Sequence, residues 1–430
     1  MELHMRLSHF DQPHAYMDHH LGNKGVNLSK QVMYSGKSSV FRDRSKLHPR
    51  YIPESLPHRE RQIMQLNNIY RETLLDLHEL MLVVRVLGPI GSGKTSTVLS
   101  FTRGILEMAE RGKVPLRFVY VNCKLGVKNE RGLYCRILRE VTGVEPHSLS
   151  SGEYLDRLLQ YLREEGWYLL LVLDDVDYLI RRSKVKEPMG GLVYDLTRLN
   201  EFHLGESMNV LGVIFIARDA EWWGLLDPSE RSSLGSLVVR LSGYSVEELQ
   251  DILLIRVGEA FCCGAVSLEV VDYVCDLAVG RDYMGNCRYA LDLLLTAGMI
   301  AEDRRLDAVS VDHIRGAVAE SGWGLCSEDL FSLDLQSVLV LRGLVQALRV
   351  SGSAYVSVRA VYEFYEMNCD SSGVSPFSYS RVRQLVVELG LVVGVVVKPG
   401  KGVGLGNVAL DDLERGLEMV EKRLEVSETK

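Results

Sequence analysis

No stretch of this chain holds the roughly 18 to 20 consecutive apolar residues that a membrane-crossing helix needs. Its first residues, with Glu2, His4 and Arg6, show no apolar core of a secretory leader. A cytoplasmic location without a membrane partner is therefore expected. The eight cysteines are scattered from Cys123 to Cys369 with no CxxC pair, which excludes the usual zinc and dithiol redox motifs. Most are expected as buried small hydrophobes, with the adjacent Cys262 and Cys263 packed in a helix. His4, His9, His14, His19 and His20 lack a regular ligand spacing and read as solvated side chains rather than a metal site. A positive net charge is missing too: the value of -8 rules out a chain that is basic all over and leaves nucleic-acid binding to local patches. There is no internal repeat. What remains is ordinary globular composition, 47% hydrophobic and 25% charged over 430 residues, enough for two or three cores.

The informative feature that is present is the octet GPIGSGKT, Gly88 to Thr95, between the apolar run Met81 to Leu87 and a helix-compatible segment. Glycines at this spacing let backbone N–H groups turn inward around a polyphosphate, and the helix that follows adds its positive N-terminal end. Lys94 would reach the β- and γ-phosphates, and Thr95 would ligate Mg2+. A chance glycine-rich turn would not carry the full spacing, the Lys-Thr pair and the preceding strand together. The second piece is LLLVLDDVD, Leu169 to Asp177, a buried apolar strand that ends in adjacent carboxylates. Asp174 is the natural partner of the loop for Mg2+, and Asp175 could orient or deprotonate an attacking water.

Periodicity orders the chain. Residues 1–50 read as a flexible arm; its window Lys24 to Arg50 carries seven Lys or Arg against the single acid Asp43. From residue 51 to 243, buried apolar strands alternate with amphipathic helices, the pattern of a parallel, helix-covered sheet. From 244 to 326 the texture is helical, opening with the capping box Ser245 to Glu248. From 327 to 430 three helices precede two valine-rich stretches around KPGKG, which read as a hairpin wing.

These pieces resemble an AAA+ ATPase, and more narrowly the archaeal origin-recognition and cell division control family of replication initiators. YIPESLPHRE, Tyr51 to Glu60, resembles that family's segment beside the adenine, VYVNCK, Val119 to Lys124, its second strand, and GNCRYALDLLLTAG, Gly285 to Gly298, its lid helix. The resemblance implies an α/β AAA+ base with a phosphate loop on a parallel sheet, a helical lid and a C-terminal winged-helix domain. It implies ATP or ADP with Mg2+, held by Tyr51, Ile52, Pro53, Gly88, Pro89, Ile90, Gly91, Ser92, Gly93, Lys94, Thr95 and Ser96, with Thr95 and Asp174 at the metal and Arg288 as the sensor-2 arginine. Three departures bear on turnover. Arg218 stands where the sensor-1 asparagine is usual, Asp175 where glutamate is usual, and Ser229 where an arginine is common, with Arg231 two residues on. Slow hydrolysis is the expectation, with Asp174, Asp175, Arg218 and Arg288 as the catalytic set.

The last unit supports DNA binding on its own pattern. In SPFSYSRVRQLVVELGLV, Ser375 to Val392, a helix packs Val382, Leu385, Val386 and Leu389 and offers Ser378, Ser380, Arg381 and Gln384 to a major groove. Lys398 and Lys401 at the wing tip would meet phosphates or the minor groove. The reading is an ATP/ADP-switched, nucleoid-associated initiator that binds origin double-stranded DNA and helps recruit or load the replicative helicase, beside paralogous initiators. Two alternatives stay open: a nucleotide- and DNA-binding regulatory paralogue with negligible ATPase activity, and a signalling or transcription ATPase that uses its winged helix as a protein adaptor.

Overall fold

The structure is a computed structural model and describes residues 40–428, apart from 76, 78–80, 146–147, 187–190, 202–208, 219–222, 225, 281–282, 321–329, 331, 391–392 and 407. The five histidines, most of the basic arm and the boundary at 326/327 lie outside the described residues.

The base opens with helix α1 (Glu60–Leu75) and continues through β1 (Leu82–Leu87), α2 (Lys94–Arg111), β2 (Leu116–Asn122), α3 (Glu130–Thr142), α4 (Ser151–Glu164), β3 (Tyr168–Asp174), α5 (Val176–Lys186), α6 (Leu192–Thr197), β4 (Val210–Ala217), α7 (Pro228–Ser233) and β5 (Val238–Arg240). The strands form one parallel sheet in the order β2-β3-β4-β1-β5. Alternation along β3 explains its two covered faces. Leu169, Leu171 and Leu173 face a core with α3 and α4, while Leu170 and Val172 face Tyr70 and Phe101 of α1 and α2. Each such side chain contributes about 1.5–3 kcal/mol on burial. Because β1 lies inside the sheet, the loop at its carboxyl end emerges beside the ends of β3 and β4, where such sheets bind ligands.

The lid is α8 (Val246–Ala260), α9 (Leu268–Val279), α10 (Cys287–Asp303) and α11 (Val311–Glu320). The expected capping box is present: Ser245 accepts from the Glu248 N–H and Glu248 accepts from the Ser245 N–H. Residues 40–50 depart from the expected arm. Val40, Phe41 and Leu47 are buried in the lid core, Phe41 and Phe261 lie 4.8 Å apart at their ring centroids, and a Cβ on Gly298 would meet the Phe41 ring at 2.3 Å. Their apolar side chains match a gap in the lid that periodicity alone does not reveal. Cys262 and Cys263 also differ from expectation: they are exposed, because α8 ends at Ala260 and the chain turns there to pair with Val40.

The third unit has helices α12 (Leu335–Ser351), α13 (Val358–Ser371) and α14 (Tyr379–Leu389), the strands β6 (Tyr355–Val356), β7 (Val395–Lys398) and β8 (Gly402–Leu405), and the closing helix α15 (Leu410–Glu428). Its small sheet runs β6-β8-β7 and is antiparallel. This is a winged helix, with β7 and β8 as the wing.

Candidate nucleotide site and DNA-binding face

The register of β1 against β4 sets Leu87 beside Ala217, so Gly88 and Arg218 leave the sheet together and the Gly88 N–H donates to the Arg218 carbonyl at 3.1 Å. Gly91 and Gly93 have φ of +73° and +84°, which glycine adopts without a Cβ penalty. Both also face a neighbour at close range. A Cβ on Gly91 would lie 1.8 Å from Asn286 Oδ1, and one on Gly93 would lie 2.6 Å from the Tyr244 hydroxyl. Lys94 Nζ donates to the carbonyls of Gly88 and Pro89 at 2.8 and 2.7 Å. Burial lowers the Lys94 pKa, while Asp174, Asp175 and Asp177 raise it and the Arg288 charge lowers it. Arg288 is thus close enough to the loop to be felt there.

Asp174, only 5% exposed, is the centre of the second half. Its Oδ2 accepts from Thr95 Oγ1 at 2.8 Å and from the Tyr120 hydroxyl at 2.6 Å, and its Oδ1 accepts from the Asp175 N–H at 2.9 Å. Burial still raises its pKa, against these hydrogen bonds and with the Asp175 charge adding to the rise. Asp175 has φ +52°, a left-handed conformation that costs a non-glycine residue about 1–3 kcal/mol; its carboxylate accepts from Asn122 Nδ2 at 3.2 Å. Burial also raises Asp177, and the Arg218 charge opposes that rise.

The donor set fits a nucleotide and its metal. The glycine loop supplies backbone amides, and Lys94 supplies a desolvated ammonium. The Thr95 hydroxyl and the Asp174 carboxylate supply adjacent hard oxygens. Among the described residues no group of three or more His, Cys, Asp or Glu could hold a metal.

The lid sits directly on this loop. The Cys287 N–H donates to the Gly91 carbonyl at 3.2 Å, and Asn286 caps α10 by accepting from the Tyr289 N–H. Gly243 and Gly285 meet at the seam, where a Cβ on Gly243 would lie 1.9 Å from the Met284 carbonyl oxygen and one on Gly285 2.2 Å from that of Tyr244. Arg59, 2% exposed, ties the parts together. It donates to the carbonyls of Ser92 (2.9 Å), His58 (2.7 Å) and Ser242 (3.0 Å) and lies over the Tyr244 ring at 3.8 Å. Tyr51, which Ile52 and Pro53 follow, lies against the lid: Arg256 donates to the Tyr51 carbonyl at 3.2 Å and covers its ring at 4.6 Å. Sequence reasoning missed Arg59, Tyr120, Asn122, Tyr244 and Asn286. Tyr120 and Asn122, alternate polar residues at the carboxyl end of a strand, were a usable signal; Arg59 stood only within the segment Tyr51 to Glu60 and was not singled out.

The DNA-binding candidates divide. Ser378 caps α14, and Ser380 lies exposed beside it. Arg381 and Gln384 are also exposed, but both donate to Glu388, at 3.2 and 2.9 Å. Lys398 and Lys401 do not stand free at a wing tip. Their ammonium groups lie 3.1 and 2.8 Å from the carboxylate oxygens of Asp276 on lid helix α9, because the wing is folded against the lid and Asp276 offers them a desolvated anion.

A phosphate loop on a five-strand parallel sheet, a helical lid seated on that loop and a winged helix beyond define an AAA+ nucleotide-binding protein with an appended DNA-binding-type domain. Family profiles match in the same order: an AAA domain at residues 79–226, a Cdc6 AAA+ ATPase-type lid domain at 250–319 and a CDC6 C-terminal winged helix domain at 328–411. An ORC1-type DNA replication protein of Desulfurococcus amylolyticus is 32% identical over 370 residues, which cover 85% of this chain and 90% of that relative. The chain belongs to the family of archaeal ORC1-type DNA replication proteins. Among solved structures, Cdc6p from Pyrobaculum aerophilum is similar with a TM-score of 0.76 at 26% identity, over 90% of this chain and 99% of that one. The Aeropyrum pernix ORC1 protein in complex with DNA is similar at 0.58 and 29%, over 89% and 98%.

Proposed function

We propose that this protein is a replication initiator that binds origin duplex DNA, is switched by ATP and ADP, hydrolyses ATP slowly and helps recruit or load the replicative helicase. The observation that carries the switch is the seating of the lid helix on the phosphate loop, Cys287 and Asn286 against Gly91. A nucleotide that occupies the loop bears on the lid through the same atoms. The loop amides and Lys94 bind the phosphates, and Arg288 reports their charge to the lid. Asp175 orients the attacking water, and Thr95 with Asp174 receives Mg2+, which supplies charge neutralisation when bound. DNA binding rests on the winged helix and on the DNA complex of the Aeropyrum relative.

Genomic footprinting with ATP and ADP compared tests the reading. Protection of a discrete repeated element, different in extent between the two nucleotides, is the expected result; scattered promoter sites indicate a regulator, and no protection a protein adaptor. Single-turnover ATP hydrolysis with Lys94→Ala as control tests the rate, and rapid multiple turnover by the wild type defeats the slow switch. The regulatory reading with negligible turnover draws on Arg218 acting on Asp177 and on Asp175 being held by Asn122.

A further inference from the structure

Asp276 lies on α9, in the lid, and is 7% exposed. Three groups from the winged helix converge on its carboxylate: Lys398 Nζ at 3.1 Å, Lys401 Nζ at 2.8 Å and the Tyr355 hydroxyl at 2.9 Å. The surrounding contact is extensive. The Tyr273 hydroxyl donates to the Leu405 carbonyl at 2.8 Å, Arg315 donates to the Ser353 carbonyl at 2.8 Å, and the Ala354 N–H donates to Glu269 at 3.1 Å. The two lysines keep 30% and 41% of their side chains exposed, so they can exchange one anion for another without rebuilding the wing. A phosphate oxygen offers an ammonium the same charge and acceptor geometry as a carboxylate oxygen. The lid side is also wired to the phosphate loop: the N–H groups of Gly285 and Asn286, the segment that meets Gly91, donate to the carbonyl of Ala278, two residues beyond Asp276 on the same helix.

We propose that Asp276 is a positioning residue for DNA binding: it holds Lys398 and Lys401 on the lid, and duplex phosphates compete with it for both ammonium groups. The lid, and through it the nucleotide, then sets how much of the wing is available to DNA. This rests on the DNA-binding reading above and adds to it the residue that limits affinity.

The test is duplex affinity of the full chain across a salt series, with wild type, Asp276→Asn and Asp276→Asn/Lys398→Ala/Lys401→Ala. Asparagine keeps the shape and the Tyr355 hydrogen bond but removes the charge that holds the lysines; Asp276→Ser serves as a second variant, and melting curves verify that each is folded. Release of two cations to phosphate should steepen the slope of log K against log salt by up to about 1.8 and tighten binding about tenfold at low salt. Both gains should vanish in the triple variant. Glu269→Gln, which loosens the same contact without freeing a lysine, should leave the slope unchanged. Salt-dependent binding by the wild type with no change in Asp276→Asn overturns the competition but leaves DNA binding intact. A gain that survives loss of both lysines overturns it as well, since mere loosening would then be the cause. Absence of duplex binding in all variants removes the DNA-binding reading along with the competition.

Discussion

Asp174 in the base and Asp276 in the lid are nearly the same object in different company. Both are more than nine-tenths buried, and both accept a hydrogen bond from a tyrosine hydroxyl, Tyr120 at 2.6 Å and Tyr355 at 2.9 Å. Asp276 has two ammonium groups on its oxygens, whereas among the described residues those of Asp174 accept from a threonine, a tyrosine and an amide. Burial pushes the pKa up at both, but at Asp276 the hydrogen bonds and charges of Lys401, Tyr355 and Lys398 win and the net shift is down; at Asp174 burial wins and the shift is up. A buried carboxylate completed from within holds domains together, while one left short of positive charge is prepared to take a cation from outside.

The largest expected effect that would break this contrast is on metal-dependent binding. Asp174→Asn should cut the Mg2+ enhancement of ATP binding about 10- to 100-fold in calorimetric titrations, whereas Asp276→Asn should leave it unchanged. Stability should separate them in the opposite sense. Asp276→Ala removes the anion from two lysines that are already partly solvated, so the cost is about 1–2 kcal/mol in urea unfolding, below the 3–5 of a fully buried pair. Asp174→Asn should match or exceed wild-type stability.

The pH dependence sharpens the comparison further. The folded pKa of Asp276 lies below the ordinary 3.8, so its contribution is fully present above that value and is lost as pH falls through the folded pKa. Asp276→Asn should flatten that acid limb. The folded pKa of Asp174 lies above 3.8, so its ionisation costs stability as pH rises from 3.8 through the folded pKa, and Asp174→Asn should remove that loss. The first is read from unfolding free energies below about pH 4, the second from those above it. The smallest effect expected is on turnover: Asp175→Glu, with or without Arg218→Asn, should raise single-turnover hydrolysis several-fold, up to about tenfold, with nucleotide affinity nearly constant.

The contrast also marks where sequence reading works. The phosphate loop, the carboxylates after β3 and the capping box at Ser245 are local patterns, and the chain carries them within a few residues. Asp276 looked like any polar residue in LEVVDYVCDLAV because its partners Tyr355 and Lys401 lie 79 and 125 residues away. Arg59 was illegible for a related reason: a guanidinium satisfied by three carbonyls leaves no acidic partner in the sequence to suggest burial. β5 has three residues, too short for any periodicity. The closing helix α15 was also unread, although its Glu421 and Asp411 pair with Arg342 and Arg349 of α12.

The seating of Phe41 against Phe261 and Gly298 makes the lid a domain whose core is closed by chain from both sides of the base. In space the base is an insertion within the lid, although in sequence the lid follows it. A fragment cut at 244 would lack Val40, Phe41 and Leu47 from its core and expose their apolar socket. Folding inherits the same order of events: the lid cannot close until about 200 residues of base have been threaded between its two parts, a long-range contact of the kind that slows folding.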